Sequence, residues 1–150
     1  MLSRRGFVIG AAGLVLVGAR APWMHALGTP ITIYKSKTCG CCSKWVDHMK
    51  AAGFAPSVHD EEEMDQLKDE LGVPGTVRSC HTALIDGYLI EGHVAASDVR
   101  RLLTERPKVA GLAVPGMPAG SPGMAEPGKE GDYKVVAFQL NGSTTPYATH

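Results

Sequence analysis

An α/β fold is predicted for this chain of 150 residues, on three observations. Alternating β-branched runs, such as Ile31-Thr32-Ile33-Tyr34, are separated by stretches with helical spacing of apolar residues. The pair Asp86-Gly87 sits between two apolar runs and marks a hairpin. A cysteine-rich loop, Thr38-Cys39-Gly40-Cys41-Cys42, follows directly on the first predicted strand.

Residues 31–34 form that first strand. Ser43 to Ala52 is a predicted helix with Trp45, Val46 and Met49 on one face and Gly53 as its stop. Phe54 to His59 is a short second strand. Asp60 is expected to cap a second helix, with Glu63 three residues on in the manner of a capping box. Its buried stripe would be Met64, Leu67 and Leu71, and Gly72 would end it. Glu61-Glu62-Glu63 suits a helix N-terminus, where the dipole favours negative charge. Pro74 and Gly75 open a loop to Cys80. Thr82 to Ile85 and Tyr88 to Glu91 are the two hairpin strands. Ser97 is expected to cap a third helix carrying Val99, Leu102 and Leu103.

The order β-α-β-α-β-β-α is the thioredoxin arrangement, with the first two strands parallel through a right-handed crossover. Beyond Arg106 the composition changes. The density of Pro and Gly from Pro107 to Gly128 argues against any regular element there. Tyr133 to Leu140 reads as an extra strand at a sheet edge, Asn141-Gly142 as a turn, and the last residues as a frayed end. The expected fold class is a thioredoxin-like α/β domain with a Pro/Gly-rich C-terminal wrap and an extra strand.

The length is that of one domain. Formal net charge is +0 and the apolar fraction 44%. With no basic excess, nucleic acid is not an expected partner. Aromatic residues make up only 6%, so the core must rest on Val, Leu, Ile and Met. Ser3-Arg4-Arg5-Gly6-Phe7 is a twin-arginine pattern. The apolar run Val8 to Gly18 that follows is shorter than the ~20 residues of a membrane span. Ala19-Arg20-Ala21 offers a cleavage site and Met24-His25-Ala26 a poorer one. Residues 1–26 are therefore expected to be a twin-arginine-type export signal, 27–106 a thioredoxin-like metal-binding domain, and 107–150 the Pro/Gly-rich segment and C-terminal extension. The mature protein would be periplasmic, with no stable membrane anchor. Four thiols in an oxidising compartment need a reason to stay reduced, and a bound metal is one.

Cys39, Cys41, Cys42 and Cys80 are all the cysteines of the chain. Cys39 and Cys42 have the spacing of a thiol–disulfide redox centre at a helix N-terminus, where thiolate is favoured, and Lys35, Lys37 and Lys44 would add to the effect. In that reading Cys39 attacks and Cys42 resolves, but Cys41 would compete in the exchange. Metal chemistry explains the extra sulfur better. Thiolates are soft and select Cu(I), zinc or iron–sulfur clusters. Side chains of neighbouring residues diverge, so the loop sulfurs suit bridging several ions rather than gripping one. Several Cu(I) ions also neutralise four thiolates in a way that one Zn(II) does not. A disulfide-stapled binding module with no free thiol is a weaker candidate, and a zinc site of Cys39, Cys42, Cys80 and His81 weaker still.

Several stretches resemble the CopG-type copper-resistance proteins, a family of periplasmic thioredoxin-like proteins. They are Tyr34-Lys35 to Trp45, Gly72-Val73-Pro74, Ser79-Cys80-His81-Thr82, Gly87-Tyr88, Ile90-Glu91-Gly92-His93-Val94, and Gly111-Leu112-Ala113-Val114-Pro115-Gly116-Met117-Pro118. The resemblance spans roughly residues 31–124. It implies copper binding for copper tolerance, a multinuclear site built by the four cysteines, Cu(I)/Cu(II) redox activity, and other periplasmic copper-handling proteins as partners. Ala95 stands where the family pattern leads one to expect proline, and the segment after Met124 lies outside the match.

Four further residues are candidates as ligands or as groups that hold a ligand in place: His81 beside Cys80, His93 at the end of the fourth strand, and Met117 and Met124, whose thioethers suit Cu(I). Glu91 is an acidic residue at a strand end that could orient a histidine. Met49 and Met64 are expected in the core, and His48 and His59 on the surface.

Overall fold

The computed structural model describes residues 28–126 and 128–150. The expected export signal, residues 1–26, lies outside them. Among the described residues, seven strands form one mixed sheet flanked by three helices. The strands are β1 (Thr29–Lys35), β2 (Phe54–Asp60), β3 (His81–Ile85), β4 (Tyr88–Glu91), β5 (Gly111–Ala113), β6 (Lys134–Phe138) and β7 (Thr144–Thr149). The helices are α1 (Gly40–Ala51), α2 (Met64–Glu70) and α3 (Ala96–Glu105), with a 3-10 turn at Gly75–Val77. The sheet order is β2-β1-β3-β4-β5-β6-β7, with β1/β2 and β4/β5 parallel and every other neighbouring pair antiparallel.

Through α3 the elements follow the expected series. The period of two in each strand divides the core between the sheet's faces. Ile31, Ile33, Ala83, Ile85, Ile90 and Leu112 turn to the face that Trp45, Val46 and Met49 of α1 and Val99 and Leu102 of α3 cover. Leu89 and Ala113 turn the other way, where Val73, Val77 and Phe138 meet them. The Asp86-Gly87 turn forms as predicted, both residues having positive φ, 49° and 85°. No helix among the described residues is long and apolar enough to cross a membrane.

Seven expectations are corrected. Asp60 does not cap α2: it ends β2, and the helix starts after Glu63 with no side-chain cap. The stripe Met64, Leu67 and Leu71 is only half-buried, and the buried residue of α2 is Lys68. Ser97 lies inside α3, whose first N–H, that of Ala96, is taken instead by Nε2 of His48 at 3.1 Å. His48 is accordingly half-buried, not a surface residue. The Pro/Gly-rich stretch does contain a regular element, β5, because Gly111–Ala113 is held by β4 on one side and β6 on the other. β6 is an inner strand, and the C-terminal residues expected to fray form the edge strand β7. Among the described residues no peptide bond is cis, so Val73–Pro74 is trans. Ala95, where proline was expected, has φ −62° and ψ 142°, a conformation proline itself adopts.

Candidate metal and thiol site

Strand register brings the candidate residues to one end of the sheet. Lys35, the last residue of β1, pairs with His81, the first of β3, so Cys80 arrives beside the loop that leaves β1. Thr82 pairs with Glu91, the last residue of β4, so His93 follows at the same end. β5 runs parallel to β4, with Glu91 opposite Ala113, and delivers the Pro/Gly segment there as well.

α1 begins three residues earlier than predicted, so Cys41 and Cys42 lie in its first turn. Cys39 is its N-cap, and its Sγ accepts from the Cys42 N–H at 3.3 Å. A sulfur there meets N–H groups that have no helical partner. Cys39 and Cys42 are joined in a disulfide, while Cys41 and Cys80 are free thiols. Cys41 Sγ lies 3.5 Å from Cys39 Sγ. The sulfurs of Cys39, Cys41, Cys42 and Cys80 all lie within 4.8 Å of one another, as do the ligand atoms of Cys80, His81 and His93. Cys80 therefore joins a sulfur cluster to an imidazole pair.

Both histidines are fully buried. His93 places Nε2 3.0 Å from Cys80 Sγ, and its Nδ1 donates to the Pro122 carbonyl at 2.6 Å. That donation fixes the tautomer and leaves the Nε2 lone pair facing the sulfur. His81 Nδ1 is 3.3 Å from Cys80 Sγ, its ring lies 4.3 Å from that of Trp45, and its Nε2 is buried with no hydrogen-bond partner. Burial, then the nearby His93, Lys68 and Lys35, hold the His81 pKa well below the usual imidazole range. Burial also lowers that of His93, against the pull of the Pro122 carbonyl. Burial first, and then the charge of Cys41, pushes the Cys80 thiol up to about 11, opposed by the Ser79 hydroxyl. The lowered pKa values keep both imidazoles neutral, the form that binds a metal, whereas the Cys80 thiol must give up its proton to do so.

The Pro/Gly segment closes the site. Gly123, at φ +85°, passes so close that a Cβ there would stand 2.8 Å from the Trp45 backbone nitrogen, 2.9 Å from the Cys41 carbonyl oxygen and 3.1 Å from His93 Nδ1. Only glycine lets the strap lie between the cysteine helix and His93. Of the two methionines on this segment, Met117 is 42% and Met124 37% exposed. Met124 lines a cleft of about 520 Å³ against α1, with Lys44, Asp47 and His48. Of the three lysines expected near the thiols, Lys35 is buried and paired with Asp60 at 3.3 Å, while Lys37 and Lys44 are exposed. Glu91 orients no histidine: fully buried, it takes hydrogen bonds from Lys68, Thr82 and the Ser79 N–H. Two parts of the site had no clear sequence signal. Lys68, four residues after Met64 and three before Leu71, lies on the apolar stripe of α2, but nothing local shows that a lysine there has a buried partner; the reach of Gly123 to Cys41 depends on the fold of the whole segment.

A family described as proteins of unknown function, DUF411, matches residues 77–124. Among curated proteins nothing matches. Two solved structures, forms 1 and 2 of a copper resistance protein CopG, are each 41% identical to this chain, with a TM-score of 0.75. Each match covers 82% of this chain and 98% of the other. At that identity and coverage, this chain belongs to the CopG family of copper resistance proteins.

Proposed function

We propose that this protein binds copper for copper tolerance, holding several Cu(I) ions in a thiolate site of Cys39, Cys41, Cys42 and Cys80. The observation that carries the reading is the approach of all four sulfurs to within 4.8 Å of one another. The name of the related structures, copper resistance protein, supports it. Soft thiolates in this number fit Cu(I) better than zinc. Loading all four requires an external reductant to give the Cys39–Cys42 disulfide two electrons, opening it to the two thiolates that bind copper. His93, held by Pro122, and His81, with its unpartnered Nε2, border the same site as further donors or as groups that steady Cys80. Met117 and Met124 are proposed as thioether donors at its outer side, and Cu(I)/Cu(II) cycling as an activity of the loaded site.

The wider reading follows from the same residues. The element order through α3, with the sheet order β2-β1-β3-β4, supports a thioredoxin-like core. The twin-arginine pattern at Arg4-Arg5 supports export to the periplasm, where copper-handling proteins would be partners. The test is copper stoichiometry in Cys41→Ser and Cys80→Ser after reduction and loading. Each is expected to hold fewer ions than the parent protein, and unchanged loading in both would overturn the reading.

A second reading, thiol–disulfide oxidoreductase, is favoured by one observation. Cys39 and Cys42 form a disulfide at the N-terminus of α1. It predicts that disulfide exchange survives both Cys80→Ser and Cys41→Ser.

A further inference from the structure

We propose that Glu91, together with Lys68, is the positioning residue for Cys80. Glu91 Oε1 accepts from the Ser79 N–H at 2.6 Å and from the Lys68 ammonium, and Oε2 accepts from the Thr82 hydroxyl at 2.6 Å. Lys68 Nζ also donates to Thr82 Oγ1 at 2.9 Å. One carboxylate thus grips the chain on both sides of Cys80, at the residue before it and two residues after it. Ser79 is pressed against the backbone at Gly92, where a Cβ would come within 2.6 Å of Ser79 Oγ. Strand parity explains the division of labour: His81 turns to the Trp45 face, and Thr82 turns to the face where α2 brings Lys68.

Glu91 and Lys68 are 0% and 2% exposed. A buried ion pair is a poor way to stabilise a core, because desolvating two charges offsets most of their attraction and apolar replacements are often as stable. An apolar pair could fill the space, but it could not hold the Ser79 N–H or the Thr82 hydroxyl. The pair therefore contributes the placement of the Ser79–Thr82 segment, and with it a Cys80 sulfur facing the loop cysteines. Placement sets whether the site has four sulfurs or three. In its copper consequence this rests on the copper-binding reading. In its thiol consequence it does not.

The test measures alkylation of the two free thiols, separated by peptide mass spectrometry, in the metal-free disulfide form. Glu91→Gln keeps an acceptor but leaves Lys68 uncompensated. The double variant Glu91→Leu with Lys68→Leu leaves no unpaired charge buried and serves if Glu91→Gln does not fold. In each folded variant Cys80 is expected to react about tenfold faster than in the parent, the weight of one lost charge-assisted hydrogen bond, with Cys41 unchanged. A Cys80 rate like the parent's would overturn the proposal, and so would equal acceleration of both thiols, the mark of general loosening. After reduction and copper loading the same variants are expected to hold fewer ions than the parent. Failure of the copper reading shows separately, as parent protein that takes up no copper while the alkylation result still decides the role of Glu91.

Discussion

His93 Nε2 stands 3.0 Å from Cys80 Sγ while the other nitrogen of the same ring donates to the Pro122 carbonyl. The strap thus holds the imidazole, and the imidazole faces the sulfur. His93→Phe keeps a ring in the space but removes both contacts. It is expected to weaken Cu(I) binding about tenfold or more, as loss of a group that orients a ligand does. Competition against a Cu(I) chelator measures it, with His59→Phe on the exposed end of β2 as the unaffected control.

Gly123→Ala would force a methyl group against the Trp45 backbone nitrogen, the Cys41 carbonyl and His93 at positive φ. A destabilisation of about 2 kcal/mol or more is expected. Gly116→Ala also has positive φ, 76°, but open space around it, and is expected to cost about 1 kcal/mol. Urea unfolding of the two variants separates steric exclusion from backbone strain.

Trp45 is fully buried, and its Nε1 donates to the Val94 carbonyl at 2.8 Å. Trp45→Phe leaves that carbonyl without its donor and removes ring surface next to His81. The expected loss is about 1–3 kcal/mol, again read by urea unfolding.

Burial lowers the pKa of His48, against the pull of Glu130, and holds that of His81 well below the usual range. The unfolded chain binds protons at both residues near pH ~6.5, whereas the folded chain does so only at lower pH. Below that point the unfolded state carries more protons, so stability falls as the pH is lowered. The urea midpoint of the metal-free disulfide form is therefore expected to drop between about pH 7.5 and 5.5. His48→Gln, with a neutral carbonyl able to meet the Ala96 N–H, is expected to flatten part of that drop.

What could be read from the sequence was mostly what is local. The apolar face of α1, the Asp86-Gly87 turn and the cysteine spacing each depend on a few adjacent residues. What could not be read depends on register or on distant partners. Lys68 falls on the apolar stripe of α2, but nothing nearby marks its charge for burial, because its partner Glu91 is 23 residues away. Gly111–Ala113 is too short to alternate, and it is a strand only because β4 and β6 flank it. Thr144–Thr149 contains Pro146 and resembles a tail, yet it pairs with β6 across a register shift. Ser97 has the chemistry of a helix cap, but His48 from α1 reaches the helix end from outside. The His81 and His93 positions beside Cys80 follow from the β3/β4 hairpin, and spacing alone could not set their distances.

X-ray absorption at the copper edge of the reduced, copper-loaded protein reads both the donor atoms and the nuclearity of the proposed site. A multinuclear thiolate site predicts a first shell dominated by sulfur together with a copper–copper scattering component. A shell of nitrogen and oxygen with no copper–copper component would contradict it.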